Sequence, residues 1–401
     1  MSVRKSAGLK LAVALATVII SLIVVAAALN NSPNARLASL RDEVKQLIRA
    51  TTHPRRVTHA NTAIAIAETL KTEPDPLAAT AELYILALSD LAEGTAPERE
   101  VPKESRVEQL ATEDLLNAAQ IFFNSRRFGP ADQLIALALS RNDDLREQTL
   151  RLAVTIRFDI GRDVDTLAHC NELLTISPND VPALRVISLV HRNHGRWENF
   201  AAATETLLEH CSPQDHETRI NLVEAYVRLG RTADARREFD RVFADWPDIG
   251  QRAPTLYAKL LIQEGLDAKA DSVLESYLKS SPNDTEALLL RGTYLIANKR
   301  LPEAITILRT AVELSPSDEQ IHYQLGQAYA RNGEKELANK SLAQHRLLLD
   351  KKVSIHEMEE LAAKDPLNVT VRVELAHSYA ELGLIELADF WTRAAIAAEG
   401  R

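Results

Sequence analysis

Residues 315–333 read SPSDEQIHYQLGQAYARNG and contain most of the signals that decide the fold. Pro316 stops any helix that precedes it, because proline lacks the backbone N–H, and Asp318 is a strong helix N-cap. About 14 residues of amphipathic sequence follow, roughly four helical turns. Gly333 then ends the run, as glycine commonly does at a helix C-terminus. The stretch predicts a capped helix, a tight turn and a second helix after the turn.

The same signals recur along the chain with a period of 34 or 35 residues. Five prolines are spaced by 35, 34, 35 and 34 residues: Pro178, Pro213, Pro247, Pro282 and Pro316. Four glycines are spaced by 34, 35 and 35 residues: Gly161, Gly195, Gly230 and Gly265. Gly333 falls two periods beyond Gly265, with Lys299 in the slot between them. Two residue types that keep one period and one phase indicate a repeat architecture, in which chain length is not limited by a single core.

Each unit resembles the tetratricopeptide repeat, TPR, which is a helix-turn-helix of about 34 residues. In Glu319–Lys352 the signature positions hold Leu325, Gly326, Tyr329, Gly333, Ala338 and Leu342. In His216–Gly250 they hold Leu222, Tyr226, Gly230, Ala235, Phe239 and Pro247. Three further units match as well: Gln251–Asp284, Thr285–Asp318 and Val369–Arg401. The resemblance implies an all-α, right-handed superhelical solenoid.

The match weakens toward the N-terminus, where Phe200 stands in a slot for Ala and Arg126 in a slot for Gly. We therefore assign residues 112–401 to a TPR solenoid of about eight repeats. Residues 30–111 form a separate helical segment, with amphipathic helices near 34–50, 55–72 and 76–93. These helices are either further, degenerate repeats or a capping bundle. Residues 95–105, which include two prolines, are expected to form a loop.

The last two units start 50 residues apart instead of 34. The additional residues, 353–368, include a helical pattern over Ile355–Lys364. Either a repeat has lost its first helix, or the second helix of the preceding unit continues through this stretch. In both cases the spacing predicts a local break in the superhelix.

The N-terminus contains one long apolar run. Residues 11–29 read LAVALATVIISLIVVAAAL, without a charged residue, and a helix of this length would measure roughly 28 Å. A bilayer core of about 30 Å fits such a helix, so we expect a transmembrane signal anchor. The alternative is a cleavable signal peptide, because Ala26-Ala27-Ala28 satisfies the rule of small residues at the cleavage site.

The charges flanking this run predict its orientation. Residues 1–10 carry Arg4, Lys5 and Lys10, whereas Arg36 and Arg41 lie on the other side. The positive-inside rule then places residues 1–10 in the cytoplasm as a basic N-terminus. The solenoid is expected on the extracytoplasmic side of a single-pass membrane protein, which is the periplasmic side if the protein is bacterial.

Composition and motifs argue against several classes of function. The net charge is −9 and the first 29 residues carry three positive charges, so the remainder is more acidic still, which disfavours nucleic acid as a partner. The two cysteines, Cys170 and Cys211, match neither a disulfide framework nor a paired zinc motif. We interpret the nearby His191 and His194 as packing and surface residues. No nucleophile elbow, P-loop or HExxH motif occurs, so we expect no catalysis, cofactor or metal.

In the TPR family the first helices of the repeats line a groove that binds partner segments. Transferring the family's groove positions to this chain gives a partner-binding set: Arg151, Arg185, Arg192, Asn193, Arg228, Arg252, Lys259, Tyr323, Gln327 and Arg331. Arginine pairs bidentately with carboxylates. The set therefore predicts a basic groove that receives an acidic or carboxylate-ended segment. The competing interpretation is that these side chains are ordinary solvated helix faces.

Two functional hypotheses follow from this reading. The first is a membrane-anchored scaffold or assembly factor for protein–protein interaction. The alternative is a module of the cell envelope that binds a small ligand, a lipid or a glycan. An open polar channel favours the scaffold, whereas an enclosed apolar pocket favours the ligand module.

Overall fold

The computed structural model describes residues 32–93 and 104–399, apart from residue 142 and residues 213–214 and 366–367. The predicted N-terminus and anchor, residues 1–29, lie outside this part of the chain. So does most of the predicted loop, of which Glu104 and Ser105 begin a short helix. The described residues form 21 helices and no strand. No helix among them is both long enough and apolar enough to cross a bilayer.

Four helices precede the repeats. They are α1 (Pro33–Arg49), α2 (His53–Glu68), α3 (Leu77–Glu93) and the single turn α4 (Glu104–Val107). The helices α1, α2 and α3 pack against one another in chain order, and α1 and α3 also contact the first helix of the repeats.

The repeats follow as pairs of helices. The first helices are α5 (Thr112–Asn124), α7 (Arg146–Asp159), α9 (Val181–Asn193), α11 (His216–Arg228), α14 (Pro254–Gln263), α16 (Thr285–Ala297), α18 (Glu319–Asn332) and α20 (Val369–Glu381). The second helices are α6 (Phe128–Leu139), α8 (Asp163–Ile176), α10 (Trp197–His210), α12 (Thr232–Asp245), α15 (Asp267–Ser280), α17 (Leu301–Leu314), α19 (Lys335–Lys364) and α21 (Ile385–Ala398). A short helix α13 (Ile249–Arg252) precedes α14.

The described residues divide into two compact units, one drawn from residues 32–169 and 392–399 and the other from residues 170–391. The first unit has a continuous apolar core that extends from Leu40 to Ile160. Asp114 is 1% exposed within this unit and accepts hydrogen bonds from Arg41 at 2.8 and 2.5 Å and from the Tyr84 hydroxyl at 2.9 Å. A buried carboxylate needs hydrogen-bond donors, and these three hydrogen bonds connect α1, α3 and α5.

An acidic or amide side chain caps many of the first helices of the second unit. The Oδ1 atom of Asp180, Asp215, Asp284 and Asn368 accepts a hydrogen bond from the backbone N–H three residues later, at 2.8 to 3.1 Å. Asp318 does the same for two backbone N–H groups. Each cap satisfies donors that have no partner within the helix, which fixes the residue at which the helix begins.

The turn between the two helices of a repeat requires a left-handed residue. The glycine slots hold φ between 61° and 89°, a region that residues with a Cβ rarely adopt. Arg126 and Lys299 occupy the same slot in two repeats and also adopt φ of 61°. The turn geometry is therefore kept even where the glycine is missing, at the cost of local strain in those two repeats.

The two helices of a repeat approach closely at one pair of positions. A Cβ added to Gly292 of α16 would lie 2.6 Å from Leu308 of α17, and one added to Gly326 of α18 would lie 2.8 Å from Leu342 of α19. In the repeat formed by α9 and α10, which matches the TPR pattern less well, the corresponding residues are Ser188 of α9 and Thr204 of α10. Both are buried, and their hydroxyl oxygens lie 2.9 Å apart. Thr204 donates to the Phe200 carbonyl at 2.7 Å, so Ser188 is the donor to Thr204.

The structure decides between the two interpretations of residues 353–368. The second helix of the Glu319 repeat continues as α19, a single helix of 30 residues. Its sequence contains neither glycine nor proline, so nothing within it stops the helix.

The sequence did not predict the interruption in the Gln251–Asp284 unit. There the first helix is divided into α13 and α14, because Pro254 has no backbone N–H to continue a helix and disfavours helical geometry at the residue before it. Ala253 accordingly lies at φ −128° and ψ 59°.

We expect Gly292→Ala to lower the free energy of unfolding by about 1–3 kcal/mol, because the added methyl overpacks the contact with the buried Leu308. Urea denaturation of the full chain measures the effect. Thr293→Ala, at the exposed next position of α16, is the matched control and should change stability by no more than about 0.5 kcal/mol. A stabilised Gly292→Ala variant would show that alanine's helix propensity outweighs the steric conflict.

Candidate partner-binding groove

The first helices of the second unit form a row. Helices α11, α14, α16 and α18 each contact the next one directly. Nine of the ten predicted groove residues lie in this unit. The exposed members are Asn193, Arg228, Arg252, Tyr323 and Arg331, and the half-buried members are Arg185, Arg192, Lys259 and Gln327.

Arg151 belongs to the first unit, on α7. Its guanidinium pairs with Glu147 at 2.8 Å, one turn earlier on the same exposed helix face. The structure therefore does not place Arg151 in the same unit as the other nine residues.

Several of the predicted cations already have acidic partners on the next first helix or at its N-terminus. Arg185 pairs with Asp215 at 3.1 Å, Arg192 pairs with Glu224 at 2.8 Å, and Lys259 pairs with Glu286. The sequence analysis missed these pairs. Their detectable signal is a basic and an acidic residue separated by 27 to 32 positions, slightly less than one repeat. The groove surface is consequently a mosaic of paired charges and not a uniformly basic channel.

Two arginines of the set stack on tryptophans. The Arg228 guanidinium lies 5.2 Å from the centre of a Trp197 ring, and Arg252 lies 5.1 Å from the centre of a Trp246 ring. Arg252 also pairs with Asp248 at 2.8 Å, whereas no acid in the described part of the chain pairs with Arg228. Stacking uses the face of a guanidinium and leaves its N–H edge free. Arg228 is therefore held in position with its donors available.

The remaining groove residues lie on α18. The Tyr323 ring is 41% exposed and its centre lies 5.2 Å from that of His345. Gln327 is half-buried and Arg331 is exposed, and neither makes a side-chain hydrogen bond or ion pair to the described residues. Tyr323, Gln327 and Arg331 succeed one another at intervals of four residues, so they lie along one face of the helix.

Asp215 has two roles, because it caps the N-terminus of α11 and pairs with the groove residue Arg185. Its carboxylate accepts from the Thr218 backbone N–H at 3.1 Å, from the Thr218 hydroxyl at 2.9 Å and from Arg185 at 3.1 Å. Burial alone would raise the pKa of Asp215, but these bonds, together with one from the Cys211 thiol, hold its pKa below the usual 3.8.

The cysteines are held as thiols in two different settings. Both cysteines are free, and burial raises the pKa of the Cys170 thiol to about 12. Burial also raises the pKa of Cys211, which donates to Asp215. No group of three potential ligands that could hold a metal ion occurs among the residues that the structure describes.

Comparison with known proteins agrees with this geometry. Residues 220–285 match a model of the tetratricopeptide repeat, and residues 281–333 match a second TPR model. The chain thus contains TPR repeats, and its fold is an all-α TPR solenoid without strands among the described residues.

Similar proteins include TPR repeat-containing protein PA4667 of Pseudomonas aeruginosa, which is 24% identical over 184 residues. That match covers 45% of this chain and only 30% of the relative. The crystal structure of a tetratricopeptide repeat protein from Parabacteroides merdae superposes with a TM-score of 0.51 at 17% identity, over 59% of this chain and 93% of that one. YrrB, described as a TPR protein with an unusual peptide-binding site, gives a TM-score of 0.31 at 18% identity, over 45% and 91% of the two chains.

We expect Asp215→Ala to cost about 1 kcal/mol of stability at pH 7, since it removes the N-cap of α11. The folded pKa of Asp215 is depressed, so its stabilisation is present above the unfolded value and is lost as the pH falls through the folded value. The difference in the free energy of unfolding between wild type and Asp215→Ala should therefore become smaller below about pH 4. Denaturation curves at several pH values test this, with Glu209→Ala on α10 as an exposed control. If the stability difference between wild type and Asp215→Ala does not depend on pH, the pKa of Asp215 is not depressed in the folded protein.

Proposed function

We propose that this chain is a membrane-anchored scaffold or assembly factor, without catalytic activity, which holds a segment of a protein partner along the row of first helices. TPR proteins mediate protein–protein interactions, and the packing of α11, α14, α16 and α18 supplies a continuous surface for such a segment. We also propose that residues 112–401 form one array of about eight repeats and that nucleic acid is not a partner.

We propose further that the partner segment is acidic or ends in a carboxylate. The observation that carries this proposal is Arg228, an exposed guanidinium fixed over Trp197 without an acidic partner in the described residues. A carboxylate can bind the N–H edge of such a group bidentately. The paired cations nearby, such as Arg192 with Glu224, can exchange partners at little cost because half-exposed ion pairs are weak.

The partner proposal is tested with a photo-crosslinking residue at Asn193 in the full-length protein in native membranes. Asn193 lies four residues before Trp197, which Arg228 covers. We expect capture of a protein whose crosslinked peptide is rich in Asp and Glu or includes its C-terminus. Arg228→Glu should reduce this capture at least tenfold, because it places like charges at the contact.

The matched control is Arg309→Glu, an exposed position on the second helix α17, which should leave capture unchanged. Capture that is insensitive to Arg228→Glu, or a basic crosslinked peptide, would refute the acidic-segment proposal.

For residues 11–29 we propose the retained signal anchor, with the solenoid on the extracytoplasmic side. Alkaline carbonate extraction should leave the full-length protein in the membrane pellet and release a variant that lacks residues 1–29. Protease added to the extracytoplasmic side should digest the solenoid. If the gene for the full-length protein yields a mature protein whose N-terminal sequence starts near residue 29, the segment is a cleaved signal peptide.

A further inference from the structure

The interruption before Pro254 opens a second surface, distinct from the row of first helices. A cavity of about 750 Å³ lies between α12 and α15, with α13 and the start of α14 along one side. Because a regular first helix is replaced here by a four-residue turn and a ten-residue helix, the two second helices border space that helical side chains would otherwise fill.

The described side chains that line the cavity are uncharged, and the Arg236 guanidinium lies 5.6 and 5.9 Å from the centres of the Phe239 and Tyr257 rings. Helices α12 and α15 carry seven and five charged residues respectively, yet none of the described residues that line the cavity is charged. Placing an ionic group against such a wall would cost hydration energy without supplying a counter-charge. The lining therefore selects for a neutral occupant.

One wall of the cavity is aromatic. Phe239 and Tyr257 stack on each other, with ring centres 4.8 Å apart and planes inclined by 8°, and Tyr277 lies beside them. Gly250 packs tightly against the Tyr257 ring, since a Cβ there would lie 3.0 Å from it. Phe243 lines the cavity with 49% of its surface exposed, which is unusual for so large an apolar side chain. Its ring is available to stack with a ligand.

The α15 side of the cavity carries hydroxyl groups at helical spacing. Ser272, Ser276 and Ser280 occupy positions one turn apart on α15 and all line the cavity. Ser280 donates to the Tyr277 carbonyl at 2.9 Å, whereas the hydroxyls of Ser272 and Ser276 have no partner among the described residues. A hydroxyl both donates and accepts, so this row can bond to successive hydroxyl groups of a ligand along the helix.

We propose that this cavity binds a neutral saccharide of two or three rings. The C–H face of a pyranose carries partial positive charge and stacks on the negative face of an aromatic ring, here Phe243. The ring hydroxyls of the sugar match the serine row, and the absence of charge fits a neutral glycan better than an acidic one. The proposal goes beyond the docking of a protein segment and rests on a different surface.

The test uses the full-length protein in a detergent without a sugar headgroup and measures saturation-transfer NMR from the protein to trisaccharides. The probes are maltotriose, cellotriose and tri-N-acetylchitotriose at about 10 mM, which exceeds a millimolar dissociation constant. We expect transfer to at least one of them, with affinity reduced at least tenfold in Phe243→Ala and in Ser276→Asp. Both positions are exposed, so neither change should unfold the protein. Leu314→Ala, at an equally exposed apolar position, should bind as the wild type does.

Two outcomes would overturn the proposal. One is that no neutral trisaccharide receives saturation at this concentration. The other is that binding survives both Phe243→Ala and Ser276→Asp, which would place the sugar elsewhere. Neither of these outcomes affects capture at Asn193, so failure here is distinguishable from failure of the scaffold proposal.

Discussion

The close contact between the two helices of each repeat is the constraint on which the rest of the structure depends. In two repeats the helices approach so closely that a Cβ at the glycine would collide with a leucine of the second helix, as at Gly292 and Leu308. The degenerate repeat keeps the pair of positions but fills it with Ser188 and Thr204, joined by a hydrogen bond. In both examples the facing residues are buried, so a repeat can lose its signature residue and still pack. Complementarity between the facing positions is therefore what is preserved, and not residue identity.

Stacking also determines the electrostatics of the groove. Because first helices contact one another directly, a basic side chain on one helix reaches an acid of the next, as Arg192 reaches Glu224. Such pairs remove the strong positive potential that a count of arginines would predict. They leave Arg228 as a distinct feature, because its orientation comes from an aromatic ring and not from a carboxylate.

Much of the fold could be predicted from the sequence, because its determinants are local. Caps such as Asp180 and Asp284 and the left-handed turns recur at fixed phase, so the helices of residues 112–399 begin and end close to their predicted positions. The course of residues 353–364 stayed open, since a lost helix and a continued helix leave the same pattern. The proline at position 254, within a helical run, is the sequence signal for the break between α13 and α14. The groove pairs could not be predicted from one helix at a time, because they depend on how side chains of successive repeats face each other.

The departures from the repeat deserve as much functional weight as the repeat itself. A perfectly regular array presents the same chemistry at every step, which suits a long segment. At the pieces α13 and α14 the array departs from this regularity, and uncharged side chains line a cavity of about 750 Å³ there. An uncharged cavity on helices so rich in charge does not follow from the TPR pattern, whose constraints concern the buried faces. The helix break, the serine row and the exposed Phe243 together form a surface that combines hydroxyl groups with an aromatic ring.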